Sequence, residues 1–209
     1  MDKKKPVDRK EEILIACLEL AAEKGMGNVS MSQIADKVGI RKASLYNHFK
    51  SKDEIIKEMY EYIRSKAKET VNPTGTDYGD MVKHQPPDEI IKFIVGNYMK
   101  MNSEPKINML YRVVYSERSF QPEAARIMKE EAERMMLATK QLFYAMQVHH
   151  VLDFDDIDMA SISFTMAIHD IMEYDMDCRT AGGDKETGEK LINDYITWFC
   201  KHYASKERK

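Results

Sequence analysis

The sequence predicts an all-α protein of about nine helices, and three observations carry that reading. Only nine glycines and six prolines occur in 209 residues, and they gather between stretches of helical spacing rather than within them. Apolar residues recur at three and four positions along most of the chain. No stretch alternates apolar with polar residues for long, so strands leave no signature.

Ile13, Ala16, Cys17, Leu20 and Ala21 share one face, with Asp8 three residues ahead of Glu11 as a start and Gly25 as a stop, which defines the first helix. Ser30 and Gln33 are spaced as a capping box, so a short second helix runs from Met31 to about Val38 and ends at Gly39. A third short helix occupies 42–49. Ser51 and Glu54 then form a second capping box that opens a longer helix through about Glu69. Short helices joined by turns of a few residues, the middle turn carrying a glycine, make a helix-turn-helix. Pro73, Gly75, Gly79, Pro86 and Pro87 mark 72–87 as a loop. Five further helices are expected at 88–102, 104–118, 122–148, 154–179 and 184–204, each with an apolar stripe. The charged ends, 1–6 and 205–209, are expected to be mobile. Residues 1–50 form the first domain and 51–209 the second, with the fourth helix, about 52–69, connecting them.

Charge restricts what the protein can touch. There are 32 basic and 35 acidic residues, a net of −3, which excludes a uniformly basic coat for nucleic acid. The balance is uneven, however. Residues 1–69 hold 15 basic and 12 acidic side chains, leaving 17 and 23 for the remainder. Within 28–52, Lys37, Arg41, Lys42, Lys50 and Lys52 face a lone acid, Asp36. The basic surface therefore coincides with the helix-turn-helix. Cys17, Cys178 and Cys200 are too few and too dispersed for a disulfide framework or a cysteine zinc site, which fits a reducing cytoplasm. No signal peptide and no run of about 18 apolar residues is found, so the expectation is a cytoplasmic protein with no membrane partner.

A helix that enters the major groove must be slim, polar outside and held to phosphates at its ends. Leu45 and Phe49, four apart, anchor 42–49 on Ile34, Ala35 and Val38. Lys42, Ala43, Ser44 and Asn47 are left for base edges or methyl groups, and Tyr46 and His48 are set to meet the backbone. The helix N-termini beginning at Ser30 and Ser51, assisted by Lys52, present free N–H groups to phosphate.

These residues carry a resemblance. Ile34-Ala35-Asp36-Lys37-Val38-Gly39-Ile40, then Ser44-Leu45-Tyr46-Asn47-His48-Phe49-Lys50-Ser51-Lys52-Asp53-Glu54, resembles the signature of the TetR (tetracycline-repressor) family of bacterial transcription regulators over about 8–56. The resemblance implies a homodimer whose three N-terminal helices bind double-stranded, palindromic operator DNA. It further implies a variable C-terminal helical domain for dimerisation and ligand binding, whose occupancy releases the DNA. By the family's pattern Tyr46, His48 and Lys52 contact phosphate and 42–47 read bases. One departure stands out: the position before Lys42, usually a capping Ser or Thr in the family, is Arg41.

In the second domain, Ile157, Ala160, Phe164, Ile168 and Ile171 form one stripe. Leu191, Ile192, Tyr195, Ile196, Phe199 and Tyr203 form another, with Trp198 on a neighbouring face. A helix apolar around so much of its girth needs cover on two sides. It is either a core helix of a monomer or, as the family implies, part of a four-helix dimer interface built from Phe164, Ile168, Ile171, Ile192, Tyr195, Ile196 and Phe199. Sixteen methionines occur, thirteen of them beyond residue 58. Flexible thioethers can either fill an irregular core or line a pocket for a small hydrophobic effector. The candidate walls are Phe93, Met101, Met109, Tyr111, Met136, Phe143, Met166 and His169, with His169 one turn from Glu173 for a polar contact or a solvent-facing pair.

His149, His150, Asp153, Asp155 and Asp156 lack a matching metal-ligand set. There is no Glu-x-x-His pair, Gly-rich phosphate loop, Gly-x-Ser-x-Gly elbow or Cys-x-x-Cys, so no cofactor, metal or catalytic residue is expected. Two other readings remain: a DNA-binding regulator with no ligand, and a helical carrier or enzyme that keeps a vestigial helix-turn-helix.

Overall fold

The computed structural model describes residues 8–70, 78–183 and 187–205. Among them are ten α-helices: α1 Arg9–Lys24, α2 Met31–Val38, α3 Lys42–Tyr46, α4 Lys52–Thr70, α5 Tyr78–His84, α6 Pro87–Asn102, α7 Pro105–Glu117, α8 Pro122–Val148, α9 Ile157–Thr180 and α10 Thr187–His202. The expected mobile ends at 1–6 and 206–209, and 184–186 at the expected start of the last helix, lie outside the described residues.

Local chemistry sets the boundaries. Asp8 accepts from Lys10 N at 3.0 Å to open α1, and Gly25 closes it at a φ of 79°. Before α2 the box is complete: Ser30 Oγ accepts from Gln33 N, and Gln33 Oε1 accepts from Ser30 N at 2.9 Å. Ahead of α4 the second box is altered. Ser51 Oγ accepts from Glu54 N at 3.2 Å, but the Glu54 carboxylate accepts from Lys50 N instead of Ser51 N. Asp156, accepting from Met159 N, delays α9 to Ile157.

The tenth helix corrects the loop expected at 72–87. Residues 72–77 of it lie outside the described residues, and 78–84 form α5, which holds Gly79 within it; there Tyr78, Met81 and Val82 recur at three and four residues and pack on a hydrophobic core, Val82 with no exposure. A proline-free run of seven residues with that spacing is enough when tertiary burial stabilises it.

The chain divides into two compact units. One takes the described part of Met1–Asn72 with Met101–Lys129, so α7 and the start of α8 join the helix-turn-helix. There α1 packs against α2, α4 and α7. Its core includes Ile13, Cys17, Ile34, Leu45, Phe49, Met59 and Val113.

The other unit takes the described part of Pro73–Lys100 with Glu130–Lys209. An aromatic cluster forms its centre. Phe143 is 4.9 Å from Phe154, 5.3 Å from Phe164 and 5.3 Å from Phe199 between ring centroids. The loop between α8 and α9 is clasped to the segment after α10: Asp153 N donates to Tyr203 O at 2.9 Å and Ser205 N to Val151 O at 3.3 Å. Near its start α10 meets α9 closely. A Cβ added to Gly188 would stand 2.2 Å from the Asp175 Cβ, and Asp175 is buried. Gly188→Ala is therefore expected to cost about 1–3 kcal/mol as the two helices are forced apart, read as a lowered thermal midpoint; an unchanged midpoint would mean that the approach is looser than described.

Candidate functional site

The helix-turn-helix is built from inside out. Leu45 and Phe49 are fully buried as anchors, and Val38 is half-buried beside them. Gly39 turns the chain at a φ of 75°, a left-handed conformation that costs a Cβ-bearing residue, and Ile40 N donates to Ala35 O at 3.0 Å to lock the turn. The α3 helix ends at Tyr46, three residues short of the expected end at Phe49. Its surface presents Lys42, Ala43, Tyr46 and Asn47 to solvent, with Ser44 and His48 half-buried. Arg41 sits at the cap position without a side-chain cap bond and is exposed.

The basic residues fall into two groups. Lys37 is engaged by α1, at 3.0 Å from Glu19 and 3.4 Å from Glu23, and the bond to Glu19 chiefly raises its pKa above the ordinary lysine value. Lys52, expected at phosphate, turns inward. Its ammonium donates to Met26 O at 2.7 Å, satisfying the 3₁₀ turn Met26–Asn28, and the side chain is half-buried. Met26 O also accepts from Val29 N at 3.2 Å, so the ammonium takes its second lone pair, a contact that spacing alone could not reveal. Among the described residues, Arg41, Lys42 and Lys50 have no such intramolecular ion pair. Ser30 is exposed, with its hydroxyl engaged in the capping box.

The eight expected wall residues are divided between the units. Met101, Met109 and Tyr111 belong with the helix-turn-helix; Phe93, Met136, Phe143, Met166 and His169 belong to the other unit. Phe93 and Met166 are exposed at 61% and 46%. Phe143 is a core residue ringed by aromatic side chains, because a rigid ring fills a centre that methionine would leave loose. His169 is half-buried, its Nδ1 3.2 Å from Glu173 Oε1.

The structure turns the residues of the expected dimer stripe toward the chain's own core. Phe164, Ile168, Ile192, Ile196 and Phe199 are buried within the single chain, and Ile171 and Tyr195 pack against the same core. The other faces of these helices carry the exposed apolar surface: Met159, Ile162, Met166 and Tyr174 on α9, and Leu191 and Trp198 on α10. The sequence showed one regular stripe on each helix, and in the single chain those stripes, Leu191 apart, lie toward the interior.

Sequence reasoning missed one polar cluster. Glu131 on α8 is buried, takes the Arg134 guanidinium and accepts from Tyr98 OH on α6 at 3.2 Å. Its only sequence signal was an acid and a base three residues apart on a helix. Burial pushes the Cys17 thiol up to about 11, against the lowering charge of Lys52, and the Cys200 thiol up to about 12. Neither is a ready nucleophile. No helix among the described residues is long and apolar enough to cross a membrane.

Comparison with known proteins follows the same division. Residues 13–59 match the profile of the family described as bacterial regulatory proteins, tetR family. Residues 89–205, more than half of the chain, match that of the AefR-like transcriptional repressor C-terminal domain. The HTH-type transcriptional repressor KstR2 of Mycolicibacterium smegmatis is 37% identical over 54 residues, 26% of either chain. The chain thus spans about a quarter to a third of the length of the first curated relatives it matches. A TetR-family regulator structure from Mesorhizobium loti aligns with a TM-score of 0.66 at 18% identity, covering 97% of this chain and 100% of that one. A transcriptional regulator from Saccharomonospora viridis, in complex with choline, aligns at 0.64 and 14% identity over 95% and 98%.

Proposed function

The chain belongs to the tetR family of bacterial regulatory proteins, and on that premise we propose that it represses transcription by gripping palindromic operator DNA as a homodimer and releases it when a small, mainly apolar ligand binds. The observation that carries this reading is α3, anchored by Leu45 and presenting Lys42, Ala43 and Asn47 outward with uncommitted cations beside them. In the proposed division of labour, residues 1–50 engage DNA and 51–209 bind the ligand and the second chain, α4 connecting them. The protein acts in the cytoplasm, where its operator is.

On DNA, Lys42, Ala43, Ser44 and Asn47 meet base edges, while Tyr46 and His48 hold the phosphate backbone. Arg41 adds a cation at the N-terminal end of the reading helix. Ser30 marks an N-terminus whose free amides suit a phosphate, and Lys52 acts mainly by steadying the turn before it. Two recognition helices held about 34 Å apart fit successive major grooves. The solved relative that holds choline supports the idea that this fold admits a small molecule. A ligand can release DNA only by binding the released form better, and that difference is the whole coupling. Since α1 packs on both α4 and α7, a shift of α7 reaches the DNA-reading helices without any new contact.

The test is capture of fragmented source-genome DNA at moderate salt, followed by sequencing. One or a few palindromic sites are expected; uniform recovery that vanishes with salt would overturn the reading. At such a site Lys42→Ala should cost about 1–3 kcal/mol and relax base preference. Lys37→Ala, whose cation is already paired within the chain, should leave the salt dependence of binding unchanged. A shallower salt slope in Lys37→Ala would put that residue on the DNA instead.

A further inference from the structure

We propose that Tyr98, Glu131 and Arg134 form the polar end of the effector site, and that they select a neutral group able both to donate and to accept a hydrogen bond, such as a hydroxyl, phenol or primary amide. The proposal rests on the reading that the C-terminal domain takes a ligand, and it names the chemistry of that ligand.

Charge is the first argument. Glu131 is 1% exposed, so its carboxylate is held where an uncompensated charge is costly. Arg134 compensates it from the next turn of α8. The pair is neutral as a whole. A ligand carboxylate would face Glu131 and a ligand ammonium would face Arg134, so either charge meets repulsion as well as attraction.

Hydrogen-bond capacity is the second. Arg134 Nε is buried without a partner, a donor lacking an acceptor. A carboxylate offers about four acceptor positions, and Glu131 receives Arg134 and the Tyr98 hydroxyl. The cluster therefore has a donor and acceptor positions to offer side by side. One hydroxyl can use both, accepting from Arg134 Nε while donating to Glu131.

Access is the third. Glu131 is enclosed, but Arg134 and Tyr98 are only part-buried, so the cluster lies at the edge of the core. Val95 belongs to the hydrophobic core of this unit and Met99, next to Tyr98, packs against it; in the proposed site they would meet the apolar remainder of the ligand. A site built to satisfy a hydroxyl rejects analogues that leave its own polar groups unpaired.

The experiment titrates the full-length protein with octanol, octanoate and octylammonium by calorimetry and thermal shift. Octanol is expected to bind at least about tenfold more tightly than either ion. Glu131→Gln leaves the Arg134 charge unopposed, and octanoate should then bind at least about tenfold more tightly than it does to the unaltered protein. That is a gain of binding, which damage to the fold does not produce. Tyr98→Phe, a milder change, should weaken octanol severalfold. Equal binding of octanol and octanoate, unchanged octanoate binding in Glu131→Gln, or no binding by any of the three overturns the assignment. Measured alongside, operator release separates the two ideas: selective octanol binding with the operator still held supports the site and overturns ligand-driven release.

Discussion

Trp198→Glu is expected to convert the protein to a monomer at micromolar concentration and to weaken operator binding by about a hundredfold or more. Trp198 is 57% exposed in the single chain, stacked on Tyr195 at 5.9 Å and His202 at 5.4 Å, on the side of α10 away from Ile192 and Phe199. A charge at this mostly exposed position stays hydrated in the isolated chain, so the fold should survive the loss of the two ring contacts. Against a second copy it would be desolvated at the centre of an apolar face, where tryptophans commonly supply 2 kcal/mol or more of binding. The operator effect follows because each half-site contact loses the effective concentration that its partner provided, on the order of 10²–10⁴ in affinity. Sedimentation and operator titration read the two effects. Tyr144→Glu, at an exposed position on α8, is the comparison. If Trp198→Glu remained dimeric, the α9 and α10 face would not be the interface.

Phe143→Ala should cost about 3–5 kcal/mol of stability, which for a chain of this size lowers the thermal midpoint by roughly 10 °C. The ring has no exposure and meets three others, Phe154, Phe164 and Phe199, so truncation leaves a hole that no flexible neighbour fills. A wall residue would behave differently: stability would change little and ligand affinity would fall. Thermal unfolding with and without a bound alcohol separates those outcomes, and a loss under about 1 kcal/mol would return Phe143 to the ligand wall.

Much of the N-terminal half was legible because its signals are local. Asp8, Ser30 and Gly39 act on amides within a few residues, and the structure has α1 and α2 where those caps put them. The bounds of α8 were also legible, from Pro122 at its start to the end of its stripe at Val148. The α5 helix was hidden because Gly79 within it and the glycine and prolines around it outweighed a seven-residue run whose stability comes from burial. The Lys52 contact was hidden for a similar reason: the Met26 carbonyl it donates to is 26 positions away. Periodicity identified one stripe on each of the last two helices, with Trp198 on a neighbouring face, and could not tell interior from exterior, because that choice depends on neighbours distant in sequence. The Tyr98–Glu131 bond spans 33 positions and leaves no trace in spacing.

The clasp between the α8–α9 loop and the segment after α10 bears on how such a protein can diverge. Its bonds run from Asp153 N to Tyr203 O and from Ser205 N to Val151 O, main chain to main chain. The exposed side chain at Ala204 can therefore change through substitution while the register of α10 is preserved, since a one-residue slip would break both bonds together. The aromatic patch around Trp198 can then be rewritten residue by residue without having to rediscover where that patch sits.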